Sequence, residues 1–286
     1  MTSSDSSEHS YTEHLVWAET ADSLLLGGAL IRPSGEPADS MTIVWIHGGM
    51  SNFYDPLYVA IGRALAARGY NFLTGNTRGH DACTLLWRGR DVVLAGSSFE
   101  RFDEATRDIS AWIEFAESRG AERLVLAGHS LGASKAACYL AWRDDPRVRG
   151  LVAASPIVRW PSYPERTALA EQLVSDGRGE DLLPPMAGSP RWNMASAQML
   201  LTREQIIRHA FDSASETAAI ADVRCPVLVL YGEDESVPGD WVQTIRDNAR
   251  STPRLDIAQV EGADHRYVEQ RDAVGQLIAS WAAALG

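Results

Sequence analysis

The sequence predicts an α/β fold, a mostly parallel eight-stranded sheet with helices on both faces and one helical insertion. Three observations lead there. Short apolar, β-rich runs recur along the chain, amphipathic stretches of helical period separate them, and one connection between two such runs is far too long to be a simple crossover. The runs are "HLVW", "SLLLGGALI", "TIVWI", "YNFLTG", "RLVLAG", "RGLVAAS", "PVLVLYG" and "RLDIAQV". From "TIVWI" onward each strand alternates with a helix, which demands parallel pairing with both faces covered.

The helices carry their own punctuation. Phe102, Ala105, Ile109, Trp112, Ile113 and Ala116 recur at helical spacing and Gly120 supplies the stop. Gly69 ends a helix over Leu57 to Arg68 in the same way, and a further helix starts near Leu131 and runs to about Trp142. Between "RGLVAAS" and "PVLVLYG" lie about seventy residues where a crossover needs far fewer. Helical stretches from Pro164 to Val174 and from Thr202 to Phe211 flank an irregular middle, "SDGRGEDLLPPMAGSPRW", so a helical cap is expected. The expected division is a disordered tail over 1–12, a core over 13–156 and 223–286, and the cap over 157–222.

Composition bounds the function. The 286 residues are 45% hydrophobic and 22% charged, enough to bury a large core. No apolar run approaches the roughly 20 residues that a membrane span needs. The start, "MTSSDSSEHSYTEH", is polar and acidic where a secretory signal carries basic and then apolar residues, so a cytoplasmic protein is expected. A formal charge of -12 argues against nucleic-acid binding. Lys135 is the single lysine, an arginine bias that reflects base composition more than a binding role. Cys83, Cys138 and Cys225 are odd in number and lack paired or His-linked spacing, so neither a disulfide framework, a metal site nor a cofactor is expected.

The chemistry concentrates in "RLVLAGHSLGAS". A strand there turns at once into a helix, and Gly128 and Gly132 relieve the crowding two residues before and after the apex. Ser130 thus points out of the sheet at a helix N-terminus whose free N–H groups favour an anion. A serine nucleophile needs a base. Of the seven histidines, His9 and His14 lie in or near the tail, His209 falls in the insertion, and His129 points away from the apex. His47 reads as a structural loop residue. His265, after the last strand in "QVEGADHRYVE", stands at the sheet edge where functional groups collect.

The base needs an orienting acid, and "LVLYGEDESVPGDW" offers Glu233, Asp234 and Glu235. Asp234 is favoured because a short side chain suits a fixed partner, and Glu235 is the alternative. The oxyanion hole draws one N–H from Leu131 and a second from the "HGGM" loop, from Gly49 or from Met50. Trp160, Trp192, Met194, Met199 and Met50 are candidates for the substrate pocket, with Phe53, Tyr54 and Trp87 as a second set.

Together, "IHGG", "GHSLG", "GEDESVP" and "GADH" resemble the α/β-hydrolase superfamily over Met41 to Gly286. The resemblance implies Ser130 as nucleophile, Asp234 as acid, His265 as base, and the amides of Gly49 and Leu131 as oxyanion hole. The acidic turn is one residue shorter than the family's usual pattern, which leaves Asp234 and Glu235 both open. "ARGYNFLTGNTRGHD", "FDEATRDISAWIEF" and "DPRVRGLVAASP" are similar to a bacterial group akin to the fungal esterases that open fusarinine-type siderophore esters. In "TRGHD", Arg78, His80 and Asp81 read as structural ion-pairing residues. The expected activity is a serine esterase working through an acyl-enzyme on a small-molecule ester. Thioester or lactone cleavage, acyl transfer, and a hydrolase-like binding protein with little turnover are the alternatives. Monomer and homodimer both remain open.

Overall fold

A computed structural model describes residues 11–35, 41–159, 163–185, 194–212 and 218–285, with the side chains of 205–209 outside that description. Two antiparallel strands open the chain, β1 (Tyr11–Glu19) and β2 (Leu25–Pro33). They are followed by β3 (Thr42–Ile46), α1 (Pro56–Ala66) and β4 (Asn71–Gly75), then by a hairpin of β5 (Thr84–Arg88) and β6 (Asp91–Ala95). Next come α2 (Ala105–Ser118), β7 (Leu124–His129), α3 (Leu131–Arg143) and β8 (Val148–Ala154). After α4 (Pro164–Ser175) and α5 (Ala197–Ala210), the chain closes with β9 (Val227–Gly232), α6 (Trp241–Asn248), β10 (Leu255–Val260) and α7 (Arg271–Ala282).

The main sheet has eight strands in the order β1-β2-β4-β3-β7-β8-β9-β10. β1 and β2 are antiparallel to their neighbours, and every pairing from β4 to β10 is parallel. All eight predicted runs are its strands. β3, β4, β7 and β9 are buried at every position, as a sheet covered on both faces requires. One face carries Trp112, Ile109 and Phe102 with the inner side of α3, and the other carries Trp45, Tyr58, Phe72 and Ile278. Asp55 caps α1 by accepting the Leu57 N–H at 3.0 Å, with Pro56 in the first turn. Gly69 and Gly120 follow α1 and α2 at φ +89° and +90°, the left-handed conformation that lets the chain leave a helix.

The sequence reading missed the β5–β6 hairpin. Gly89, at φ +59°, starts its two-residue turn. Leu85 lies opposite Leu94 and Trp87 opposite Val92, and all four are exposed. An apolar alternation that faces outward gives no core signal, so the segment read as loop. Trp87, named as a pocket alternative, sits on this hairpin.

In the long connection, α4 falls where it was expected and α5 starts earlier, at Ala197, because the Ser196 hydroxyl accepts the Met199 N–H at 3.2 Å and caps it. A small cluster of Ala170, Leu183, Ala197 and Leu200 holds α4 to α5.

Candidate active site

The parallel strands all end at one edge, and every candidate catalytic group leaves from it. β7 passes into α3 through Ser130, which adopts φ 54° and ψ -120°, a conformation costly for a residue with a β-carbon. The surroundings enforce it. A β-carbon on Gly128 would lie 2.3 Å from the Gly132 carbonyl oxygen, and one on Gly132 would lie 2.3 Å from the Ile46 oxygen. Only glycine lets the helix start this close to the strands. The sheet ladder continues one residue past β7, since the Ser130 N–H donates to Ala154 O at 2.8 Å. The Ser130 hydroxyl is hydrogen-bonded to none of the described residues.

His265 lies beside this turn. The His129 and His265 rings are 4.8 Å apart between centroids, and His129 Nε2 donates to the His265 carbonyl at 2.8 Å. Because that bond consumes the Nε2 proton, His129 Nδ1 accepts from the Tyr58 hydroxyl at 3.2 Å, which in turn accepts the Gly48 N–H at 2.8 Å. Burial, with the nearby His265 imidazole, lowers His129 to about 4, so it is a neutral spacer. The His265 turn is shaped by Asp264, whose carboxylate accepts the N–H groups of Arg266 and Val268. It is pinned by Arg266, which pairs with Asp55 at 2.7 Å.

The carboxylate on His265 is Glu235. His265 Nδ1 donates to Glu235 Oε1 at 2.6 Å, while Glu235 Oε2 accepts from Ser155 Oγ at 2.6 Å and from Gly232 N–H at 3.3 Å. This corrects the preference for Asp234, which is exposed and hydrogen-bonds to no described imidazole. The reason is the tightness of the turn: Glu233 N–H donates to Val260 O, Asp234 N–H to Ala263 O, and Glu235 N–H back to Gly232 O. Those bonds fold the third acid, not the second, toward β10's exit loop. Burial raises the Glu235 carboxyl, but the hydrogen bonds from His265 and Ser155 outweigh it and hold the group below the ordinary carboxylate range.

Ser155 and Tyr267 are members of this arrangement that the sequence reading missed. Ser155 ends β8 at φ 45°, and its hydroxyl also lies 2.6 Å from the Tyr267 hydroxyl. A serine directly after an apolar strand is the available signal, and it is a weak one.

The "HGGM" loop packs on the turn. A β-carbon on Gly48 would sit 3.3 Å from Ser130 Cβ, and one on Gly49 3.4 Å from Leu131 Cδ2. The Leu131 N–H, at the first position of α3, has no intrahelical acceptor. Met50 has φ +56° and is half-buried. His47 is fully buried: Nδ1 donates to Gly48 O at 2.8 Å and Nε2 accepts the Thr77 N–H at 3.0 Å. Burial, aided by the Lys135 charge, lowers its imidazole to about 3, in keeping with a structural role.

The remaining expectations divide. Arg78 is buried in ion pairs with Asp108, Asp22 and Glu104, and His80 Nδ1 lies 2.9 Å from Asp81 Oδ2, so "TRGHD" is a turn held by polar side-chain contacts. Met199 is 2% exposed and packs in the main core, whereas Met194 is 38% exposed. Trp160 and Trp192 lie outside the described residues. Phe53 is half-buried, and Tyr54 and Trp87 are exposed. No described helix is long and apolar enough to cross a membrane.

Comparison with known proteins gives the family of the chain. A family model described as "Alpha/beta hydrolase family" matches residues 43–277. The non-heme chloroperoxidase CPO-A1 of Kitasatospora aureofaciens is 24% identical over 252 residues, covering 78% of this chain and 84% of that protein. The bifunctional esterase/perhydrolase DCH of Acinetobacter calcoaceticus is 23% identical over 196 residues, covering 59% and 66%. Among solved structures, Est1E from Butyrivibrio proteoclasticus with bound ferulic acid superposes with a TM-score of 0.68 at 16% identity, covering 94% of this chain and 98% of that one. The alpha/beta hydrolase GrgF from Penicillium sp. sh18 gives 0.67 at 16% identity, covering 96% and 97%. With a family model spanning most of its length and a sheet of the same construction, the chain belongs to the alpha/beta hydrolase family.

Proposed function

We propose that the protein is a serine esterase that cleaves a small carboxylic ester through an acyl-enzyme, with Ser130 as nucleophile, His265 as base and Glu235 as the orienting acid. The observation that carries this reading is the meeting of three chain segments at one sheet edge: the strained Ser130 turn, the His265 loop against it, and the 2.6 Å bond from His265 to Glu235. Glu235 fixes the His265 tautomer with Nδ1 protonated, leaving Nε2 free to take the serine proton. Ser130 Oγ then adds to the ester carbonyl, and the negative oxygen is received by the N–H groups of Leu131 and Gly49. His265 returns the proton to the leaving alcohol. Water, activated by the same imidazole, releases the acid and restores Ser130. The hydroxyl-to-imidazole bond forms as substrate seats, as is common where the unliganded geometry is loose.

In this reading α4 and α5, inserted between β8 and β9 at the catalytic edge, form a cap that contributes to selectivity. DCH, a relative named as an esterase, supports an ester over other acyl groups, and the likeness to fusarinine-type esterases puts a siderophore ester among the substrates to try. The test is hydrolysis of 4-nitrophenyl acetate by the wild-type chain and by Ser130→Ala. Loss of about four to six orders of magnitude in kcat with folding retained is expected. A Ser130→Ala chain keeping a tenth of the activity would overturn the assignment.

A further inference from the structure

The single lysine of the chain is among its most buried side chains. Lys135, on α3, is 1% exposed, and its ammonium lies 2.5 Å from Glu100 Oε1, itself on a side chain 1% exposed. It also lies 5.0 Å from the Phe102 ring centroid and 3.5 Å from Thr77 Oγ1. Burying such a pair is expensive, and apolar residues of similar volume often serve stability as well or better. Stability alone therefore does not account for it.

The pair has a direction. An ammonium has donors only, so at Thr77 it can meet nothing but a lone pair of Oγ1, which turns the Thr77 hydroxyl proton outward. That hydroxyl lies 3.1 Å from His47 Nε2, which also accepts the Thr77 N–H. With both Thr77 groups donating, Nε2 stays bare, and the His47 proton resides on Nδ1 and goes to Gly48 O at 2.8 Å. Gly48 N–H is committed to Tyr58. Both polar groups of Gly48 are thus held, and the next residue, Gly49, packs against the Leu131 side chain. Behind the pair, Glu100 Oε2 is buried without a partner among the described residues, and a β-carbon on Gly79 would lie 2.0 Å from it. The carboxylate is wedged in place, with Asp108 and Arg78 as its other charged neighbours.

We propose that Glu100, Lys135 and Thr77 are positioning residues for the oxyanion loop, acting through the protonation state of His47 to orient the Gly48–Gly49 backbone. The function of the loop rests on the esterase reading above; the state of His47 does not. The Lys135 charge reinforces it, being the largest influence after burial that keeps His47 neutral.

The experiment uses the full chain labelled with 15N-histidine, with Thr77→Val, Thr77→Ser and the charge-free double variant Lys135→Met with Glu100→Gln. Imidazole 15N shifts from pH 5 to 8 report the His47 tautomer, and 4-nitrophenyl acetate gives kcat and KM. Wild type should hold His47 in one state, Nδ1 protonated and Nε2 bare. Thr77→Val and the double variant, which keep the Thr77 N–H on Nε2, should bring His47 into titration, with kcat down about 10- to 100-fold and KM within about threefold, less than deletion of a whole oxyanion donor costs. Thr77→Ser, which keeps the hydroxyl, should return kcat to within about threefold of wild type. His47 unchanged in both Thr77→Val and the double variant overturns the proposal, whatever happens to Tm. If wild type cleaves no ester but His47 responds as described, the esterase reading fails and the His47 linkage stands. If Ser130-dependent activity is present and His47 does not respond, the reverse holds. Should the double variant not fold, Thr77→Val decides the question.

Discussion

His265 Nδ1 and Glu235 Oε1 lie 2.6 Å apart, the imidazole side chain 45% exposed and the carboxylate side chain only 12%. A solvent-open imidazole is thereby held from behind by a carboxylate that solvent barely reaches. Glu235→Gln should cost on the order of 10⁴ in kcat by favouring the wrong tautomer. Asp234→Asn, at an exposed neighbour without this bond, should change kcat by less than about threefold. Steady-state kinetics of the two variants decide between them, and the opposite ranking returns the acid to Asp234.

Ser155 holds the other oxygen of Glu235. Ser155→Ala removes one of the bonds that keep this carboxyl low, so its pKa should rise toward the ordinary range. The acidic limb of the kcat–pH profile should then move to higher pH, with kcat at pH 8 reduced about tenfold or less. An unshifted acidic limb would show that Ser155 serves packing alone.

His47 and His129, at about 3 and 4, both sit below the ordinary imidazole value of 6.5. The unfolded chain therefore binds protons first as pH falls. Their contribution to stability is full above pH 6.5 and declines below it, until each folded pKa is passed. Each should lose roughly 1.4 kcal/mol per pH unit within that window. Urea unfolding from pH 7 to 5 should give stability falling at up to about 2.7 kcal/mol per unit, and His129→Gln should about halve that slope. Equal slopes in the two proteins would mean that His129 is protonated in the fold.

Gly132 and Gly49 are both glycines of the site, yet they answer to different constraints. A β-carbon at Gly132 meets the backbone oxygens of Ile46 and His47 at 2.3 and 2.5 Å, whereas one at Gly49 meets only Leu131 Cδ2 at 3.4 Å. Gly132→Ala should lower Tm by more than about 10 °C or prevent folding. Gly49→Ala should leave Tm within about 3 °C, so that any change in kcat reports on the loop itself. Thermal melts of the two proteins check this, and equal losses would refute it.

Met199 and Met194 separate in the same manner. Met199→Ala opens a hole in the main core and should cost about 2–5 kcal/mol while leaving ester selectivity unchanged. Met194→Ala, at a partly exposed side chain, should cost under about 1 kcal/mol. Selectivity shifting with Met199 but not with Met194 would reverse their placement.

By itself the sequence determined the eight strands of the sheet, the turn at Ser130, the chain order of that serine, the acidic turn and His265, and the need for Gly128 and Gly132. These are local matters of period, spacing and backbone room, which a linear reading contains. Tertiary structure alone decided which of three consecutive acids meets His265, because the bonds of Glu233, Asp234 and Glu235 to β10 and its exit loop set the direction of each side chain. Only the fold brought Ser155 to Glu235, 80 residues along the chain, and to Tyr267, 112 residues along it. The same is true of Lys135, which composition presents as the remnant of an arginine-rich chain. Its link to Thr77, Glu100 and His47 exists because α3, β4's exit and β3's exit converge under one sheet edge, and such convergence has no period along a sequence.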